Sequence, residues 1–145
     1  MAAATILPSA SFARSPSGTF SEREATWNDG APDGFKLNMT IVVSEDSLTY
    51  RGVNVTDPAK PIVTEWSGKF DGVSRPLVGR HFDHLAVSKL HEDEFMVQKL
   101  EGDLATIVEF WRYVEETDEW IRHGVVPKLE NGKPRIYVEY FRRTK

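Results

Sequence analysis

The chain has 145 residues and a mass of 16.4 kDa, enough for one domain with a real core. Hydrophobic residues make up 40% and charged residues 28%, which excludes a disordered polyelectrolyte, and a net charge of −4 argues against a nucleic-acid footprint. There is no cysteine, which excludes disulfides, thiolate metal sites, iron–sulfur clusters and a cysteine nucleophile.

No Lys or Arg precedes Arg14, and Pro8 with Ser9 interrupts the first apolar run. A secretory signal needs a basic start and then roughly 7–15 apolar residues. Residues 1–16 therefore read as a flexible arm before a single domain over residues 17–145, and a cytoplasmic location is expected. No stretch approaches the ~20 apolar residues of a membrane-spanning helix, so no membrane partner is expected.

Residues 21–27 fit one short helix, with Ser21 as cap and Glu24 completing a capping box. From Lys36 onward the hydrophobic period is two. Turn chemistry at 44–47, 57–60, 71–72, 91–93, 102–103, 116–118 and 131–132 divides the chain into short runs rich in Val, Ile, Thr and aromatics. The predicted strands are 37–43, 48–55, 62–70, 73–79, 83–90, 94–101, 104–114, 119–126 and 135–142. Short connections make neighbours antiparallel. Exposed edges are removed most economically by closure, so the expected fold is all-β: an antiparallel up-and-down barrel of about eight or nine strands, with at most one or two short helices.

Several segments carry a resemblance. They are Ser17-Gly18-Thr19-Phe20 as a first strand, Asn28 to Pro32 as the next loop, Lys60-Pro61, and Glu65 to Gly72. Pro76-Leu77-Val78-Gly79, Asp83 to Leu90, the acidic turn at 115–119 and Asn131-Gly132-Lys133-Pro134 complete the set. In these the chain resembles the small bacterial lipocalin-like proteins of the calycin type, over about residues 17–145. The resemblance implies a barrel and brings no shared catalytic residues. Members of that family usually carry a secretion signal, and this chain departs there.

Hairpin counting assigns the faces. The Ser44–Ser47 turn groups Leu37, Met39 and Ile41 with Leu48, Tyr50 and Gly52 as the inner face. The 115–119 turn groups Val108, Phe110 and Arg112 with Ile121, His123 and Val125, and Asn131-Gly132 adds Val138 and Tyr140. Taking Gly102-Asp103 as a two-residue loop extends that face to Phe95 and Val97. In strand 62–70 a simple count turns Glu65 inward and a bulge turns Trp66 inward; apolar content favours Trp66.

On this count His123 and Tyr140 lie on an apolar face, either as a satisfied core hydrogen bond or as a general acid/base pair at a cavity floor. Arg112 either snorkels to water or binds an oxyanion. His84 also falls inward. His81, Asp83 and His84 match no standard metal spacing, so no metal is expected. No serine-nucleophile motif or phosphate loop is present. The opposite face carries Trp111, Tyr113, Trp120, Tyr137 and Phe141 with Glu109, Arg122 and Glu139. As an outer patch it predicts a homodimer; the same rings are covered instead if the arm lies over them or if the two faces are exchanged.

The leading expectation is a cofactor-independent enzyme of lyase or isomerase type, moving protons on a small apolar or aromatic molecule in the barrel. His123, Tyr140 and Arg112 would be catalytic. Trp66, Phe95, Phe110, Tyr50, His84, Val125 and Val138 would line the ligand. The alternative is a non-catalytic lipocalin-like binder of a small hydrophobic ligand. No nucleic-acid partner is expected.

Overall fold

The structure, a computed structural model, describes residues 13–145; most of the expected N-terminal arm lies outside the described residues. Alternating apolar and polar residues build ten strands: β1 (Gly18–Trp27), β2 (Leu37–Val43), β3 (Ser47–Asn54), β4 (Ile62–Lys69), β5 (Arg75–Pro76), β6 (His84–His91), β7 (Glu94–Glu101), β8 (Leu104–Val114), β9 (Glu119–Val126) and β10 (Arg135–Arg143). Among the described residues there is no helix, and so none long and apolar enough to cross a membrane.

All pairings are antiparallel, in the order β4-β3-β2-β1-β10-β9-β8-β7-β6-β5. The sheet curls until β4 approaches β6, and the segment between them fills the seam. Glu65 and Val78 exchange backbone hydrogen bonds of 2.7 and 2.9 Å, and Gly72 N donates to Val87 O at 2.9 Å. The result is the expected up-and-down, nearly closed antiparallel barrel, with ten strands rather than eight or nine. It is compatible with a calycin-like fold.

Two local expectations are corrected. Residues 21–27 are strand, because the ladder to β10, joined at Ser21 by that to β2, pairs the backbone that a capping box would have served. The predicted strand 73–79 is reduced to Arg75–Pro76, since Pro76 has no N–H to continue a ladder.

A larger correction concerns the C-terminal strands. Leu100 pairs with Ala105 across the Gly102-Asp103 turn, but Lys99 pairs with Ile107. Thr106 is an unpaired bulge residue. Beyond it, Phe95 lies opposite Trp111, not Phe110. A one-residue shift exchanges the two faces of a strand, and the partner strands follow. The exchanged faces weighed above are therefore those the structure has: Trp111, Tyr113, Trp120, Tyr137 and Phe141 are buried inside. The patch that suggested a homodimer is core.

The interior is layered. At one end Phe20, Phe70, Phe95, Tyr113 and Trp120 form an aromatic plug, with Phe70 stacked on Phe95 at 4.7 Å between centroids. Trp120 Nε1 donates to Pro16 O at 3.0 Å, which fixes the chain leading into β1 over this end. A charged layer follows in the middle. The other end, around Trp27, Phe35 and Phe82, is open.

Candidate functional site

The open end is a cavity of about 240 Å3, the room of a one- or two-ring molecule. Trp27, Phe35, Leu37, Ile62, Phe82 and Leu85 supply its apolar walls. Trp27 meets Phe35 edge-on, with ring centroids 5.3 Å apart, at the rim.

The floor comes from two adjacent cross-strand rows. In one, Trp111, Arg122 and Glu139 are direct neighbours on β8, β9 and β10. In the other, Glu109, Gly124, Tyr137 and Trp27 follow on β8, β9, β10 and β1. Arg122 Nε donates to Glu139 Oε2 at 2.7 Å, and Arg122 Nη2 donates to the same oxygen. Trp27 Nε1 donates to Glu139 Oε1 at 3.2 Å. Glu109 accepts from Lys99 Nζ at 2.9 Å, from Trp111 Nε1 at 2.7 Å and from the Tyr137 hydroxyl. Arg122 Nε lies 3.6 Å from Glu109, and the guanidinium sits over the rings of Phe141 and Trp111 at 5.1 and 5.8 Å.

Glu109, Glu139 and Arg122 are almost wholly buried, so each ion has lost several kcal/mol of hydration. Pairing and hydrogen bonds offset that loss. Burial alone would raise the Glu109 carboxyl, but Arg122 and Lys99 beside it, with the Tyr137 and Lys99 hydrogen bonds, bring it down to about 2. Burial would lower Arg122, yet Glu109 and Glu139 hold it well above its ordinary value. Burial and the Glu109 charge push the Tyr137 hydroxyl strongly upward. Each of these groups is locked in its ordinary ionisation state near neutral pH.

The residues expected at the site divide sharply. Tyr50 lines the cavity, and Trp66 and Phe95 are buried inside, Trp66 without a bulge in the β3–β4 ladder. His123 is exposed on the outer wall, opposite Phe110 and Val138. Phe110 and Val125 are 39% and 40% exposed there. Arg112 is exposed, Val138 is half-buried, and Tyr140 lies under the Arg23 guanidinium at 5.0 Å. The expected inward facing of His123, Tyr140, Arg112, Phe110, Val125 and Val138 is thus corrected, and its cause is the Thr106 bulge. His84 is half-buried with Nδ1 2.8 Å from Asp83; its neighbour Leu85 faces the cavity instead.

Glu109, Arg122, Glu139, Lys99, Tyr137 and Trp27 were not foreseen as site residues. The signal for them was apolar area: two tryptophans, two tyrosines and a phenylalanine outweigh the valines and isoleucines of the alternate face, whatever the charges between them. Among the described residues no group of three or more His, Asp or Glu side chains is arranged to hold a metal ion.

Fold and site together define a nearly closed antiparallel barrel with one blocked end and one open, aromatic-walled cavity. No family model matches the sequence, and no curated protein or solved structure is significantly similar to it.

Proposed function

We propose that this protein is a lipocalin-like binding barrel that holds a small, largely apolar one- or two-ring molecule in its open end. The observation that carries this reading is the cavity itself: apolar rings line the wall and the carboxylates of the charged floor are internally paired. Burying such a ligand gains the hydrophobic term without breaking the floor. Acid/base turnover would need a group poised near neutral pH within reach of the ligand. The low carboxyl of Glu109 and the raised hydroxyl of Tyr137 are poised away from it, and His123 lies on the outer wall. His81 also lines the cavity, but no acid or base partner among the described residues hydrogen-bonds it into position, so binding is favoured over catalysis.

The test is titration with a neutral naphthyl ketone dye, followed by its own emission and by quenching of tryptophan fluorescence. A ligand of this size should bind with Kd on the order of 10 μM. Leu85→Trp, which fills the cavity, should weaken binding at least tenfold. Absence of saturable binding, or binding indifferent to Leu85→Trp, would overturn the reading.

A further inference from the structure

Three cationic side chains line the cavity, and each is paired with a carboxylate. Lys99 Nζ is 2.9 Å from Glu109, and Arg122 is held by Glu139. At the rim, Arg135 Nε and Nη2 donate to Asp29 at 2.7 to 2.9 Å. The Lys, Arg, Asp and Glu side chains of the lining and their partners sum to zero charge, with two of the carboxylates at the floor itself. An anionic ligand would have to displace a carboxylate from a cation or stay uncompensated in a water-poor site. A cationic ligand would find both floor carboxylates already saturated with donors.

At the floor two hydrogen-bond donors remain, beside the uncommitted side-chain polar groups of Asn54 (Nδ2), Thr64 and His81 elsewhere in the lining. The Tyr50 hydroxyl lies beside the Arg122 guanidinium, whose hydrogen bond to it leaves the phenol proton free, and Arg122 Nη1 makes no other hydrogen bond among the described residues. Among the described residues, the one fully sealed polar side-chain atom without a partner is Trp66 Nε1, so these two donors are open to the cavity. The position of Tyr50 is set locally: a Cβ on Gly52, its same-face neighbour, would collide with the Tyr50 hydroxyl, and glycine there lets the ring lean along the strand.

We infer that the cavity selects an uncharged ligand carrying a hydrogen-bond acceptor, such as a ketone, ester or amide carbonyl on an aromatic frame, which accepts from the Tyr50 hydroxyl and Arg122 Nη1. This rests on the cavity being a ligand site. An unsatisfied buried donor pair discriminates strongly between ligands that have an acceptor and ligands that lack one. A charge with no free counter-charge is discriminated against at least as strongly.

Four probes on one frame test this: naphthalene, 2-acetylnaphthalene, 2-naphthamide and 2-naphthoate, each titrated calorimetrically into the full chain at pH 7. The ketone and amide should bind about tenfold tighter than naphthalene, and naphthoate should be the weakest. Tyr50→Phe should remove most of the advantage of the ketone over naphthalene while naphthalene binding and the near-ultraviolet circular dichroism stay unchanged. Naphthoate binding tightest would overturn the inference in favour of an anion site. Equal affinity for ketone and naphthalene would overturn it while leaving the cavity as a binding site. Failure of all four probes, naphthalene included, would remove the binding reading and this inference with it.

Discussion

The ring of Tyr137 lies over Gly124, its direct cross-strand neighbour, and the missing side chain there lets the Tyr137 hydroxyl reach Glu109 one strand further on. A Cβ at position 124 would come closer to the Tyr137 ring than the 3.0 Å that real Cβ atoms keep. Gly124→Ala should therefore swing Tyr137 out and break its hydrogen bond to Glu109. The expected cost is about 1–3 kcal/mol, as for other overpacked cores. In a Tyr137→Phe background part of that cost should vanish, because the hydrogen bond is already gone. Urea unfolding of the two single variants and the double variant measures it; full additivity would show that the glycine serves something other than the tyrosine.

Acid should unfold the barrel through Glu109. Its carboxyl falls from an ordinary 4.5 to about 2 in the fold. A depressed carboxyl contributes stability that is complete above its unfolded value and is lost as pH drops through its folded value. The window is therefore about pH 4.5 down to 2, and the loss is about 3 kcal/mol. Asp29, Asp83 and Asp118 are also lowered, by their Arg or His partners, and act in the same direction, more weakly because they are exposed or only half-buried. Glu22 is raised by burial and acts in the opposite direction. Glu109→Gln should lower stability at pH 7 and flatten its fall between pH 4.5 and 3. An unchanged slope would assign the acid sensitivity to other carboxylates.

Deletion of Thr106 should be tolerated. Ala105 already pairs with Leu100 and Ile107 with Lys99, so excising the residue between them joins two ladder segments that are in phase. Its own tie to the sheet is one hydrogen bond from Oγ1 to Lys99 O at 3.3 Å. The expected change is about 1–2 kcal/mol, from lost local twist, with the near-ultraviolet signal of the buried tryptophans retained. A shortened chain that fails to fold would mean that the bulge is needed to close the barrel.

That residue also explains what the sequence made legible and what it hid. The strand positions of β2, β3, β6, β7, β8, β9 and β10 follow from turn chemistry and period, because both act locally. The inward facing of Met39 and Tyr50 follows too, since no bulge intervenes between them and the turn from which they were counted. The β7–β8 bulge is different. Thr106 has the composition of an ordinary strand residue, and its effect appears only beyond it, on Trp111, Arg122 and Tyr137. Charge then reinforced the inverted reading. Glu109, Arg122 and Glu139 look like solvent residues singly, and only their mutual pairing makes burial affordable.

His123 separates the two frames experimentally. It is exposed on the outer wall, so His123→Ala should change stability by no more than about 0.5 kcal/mol and leave ligand affinity within twofold. Trp120→Glu, by contrast, places a carboxylate in the aromatic plug and removes the hydrogen bond to Pro16, and should leave little folded protein. Thermal unfolding of the pair distinguishes them; a strongly destabilised His123→Ala would contradict the outer placement.

The pairing of β1 with β10 has a consequence for how the protein is made. β1 leaves the ribosome early and can form its ladder with β2 at once, but its other edge stays bare until β10 has been synthesised. Thr19 then exchanges backbone hydrogen bonds with Thr144 and Lys145, so the two ends of the described chain are stitched side by side, while the seam in the wall lies mid-sequence between β4 and β6. The nascent barrel is thus an open ribbon that closes last along its most distant residues, a slow and long-range step during which its first strand is the surface most in need of protection.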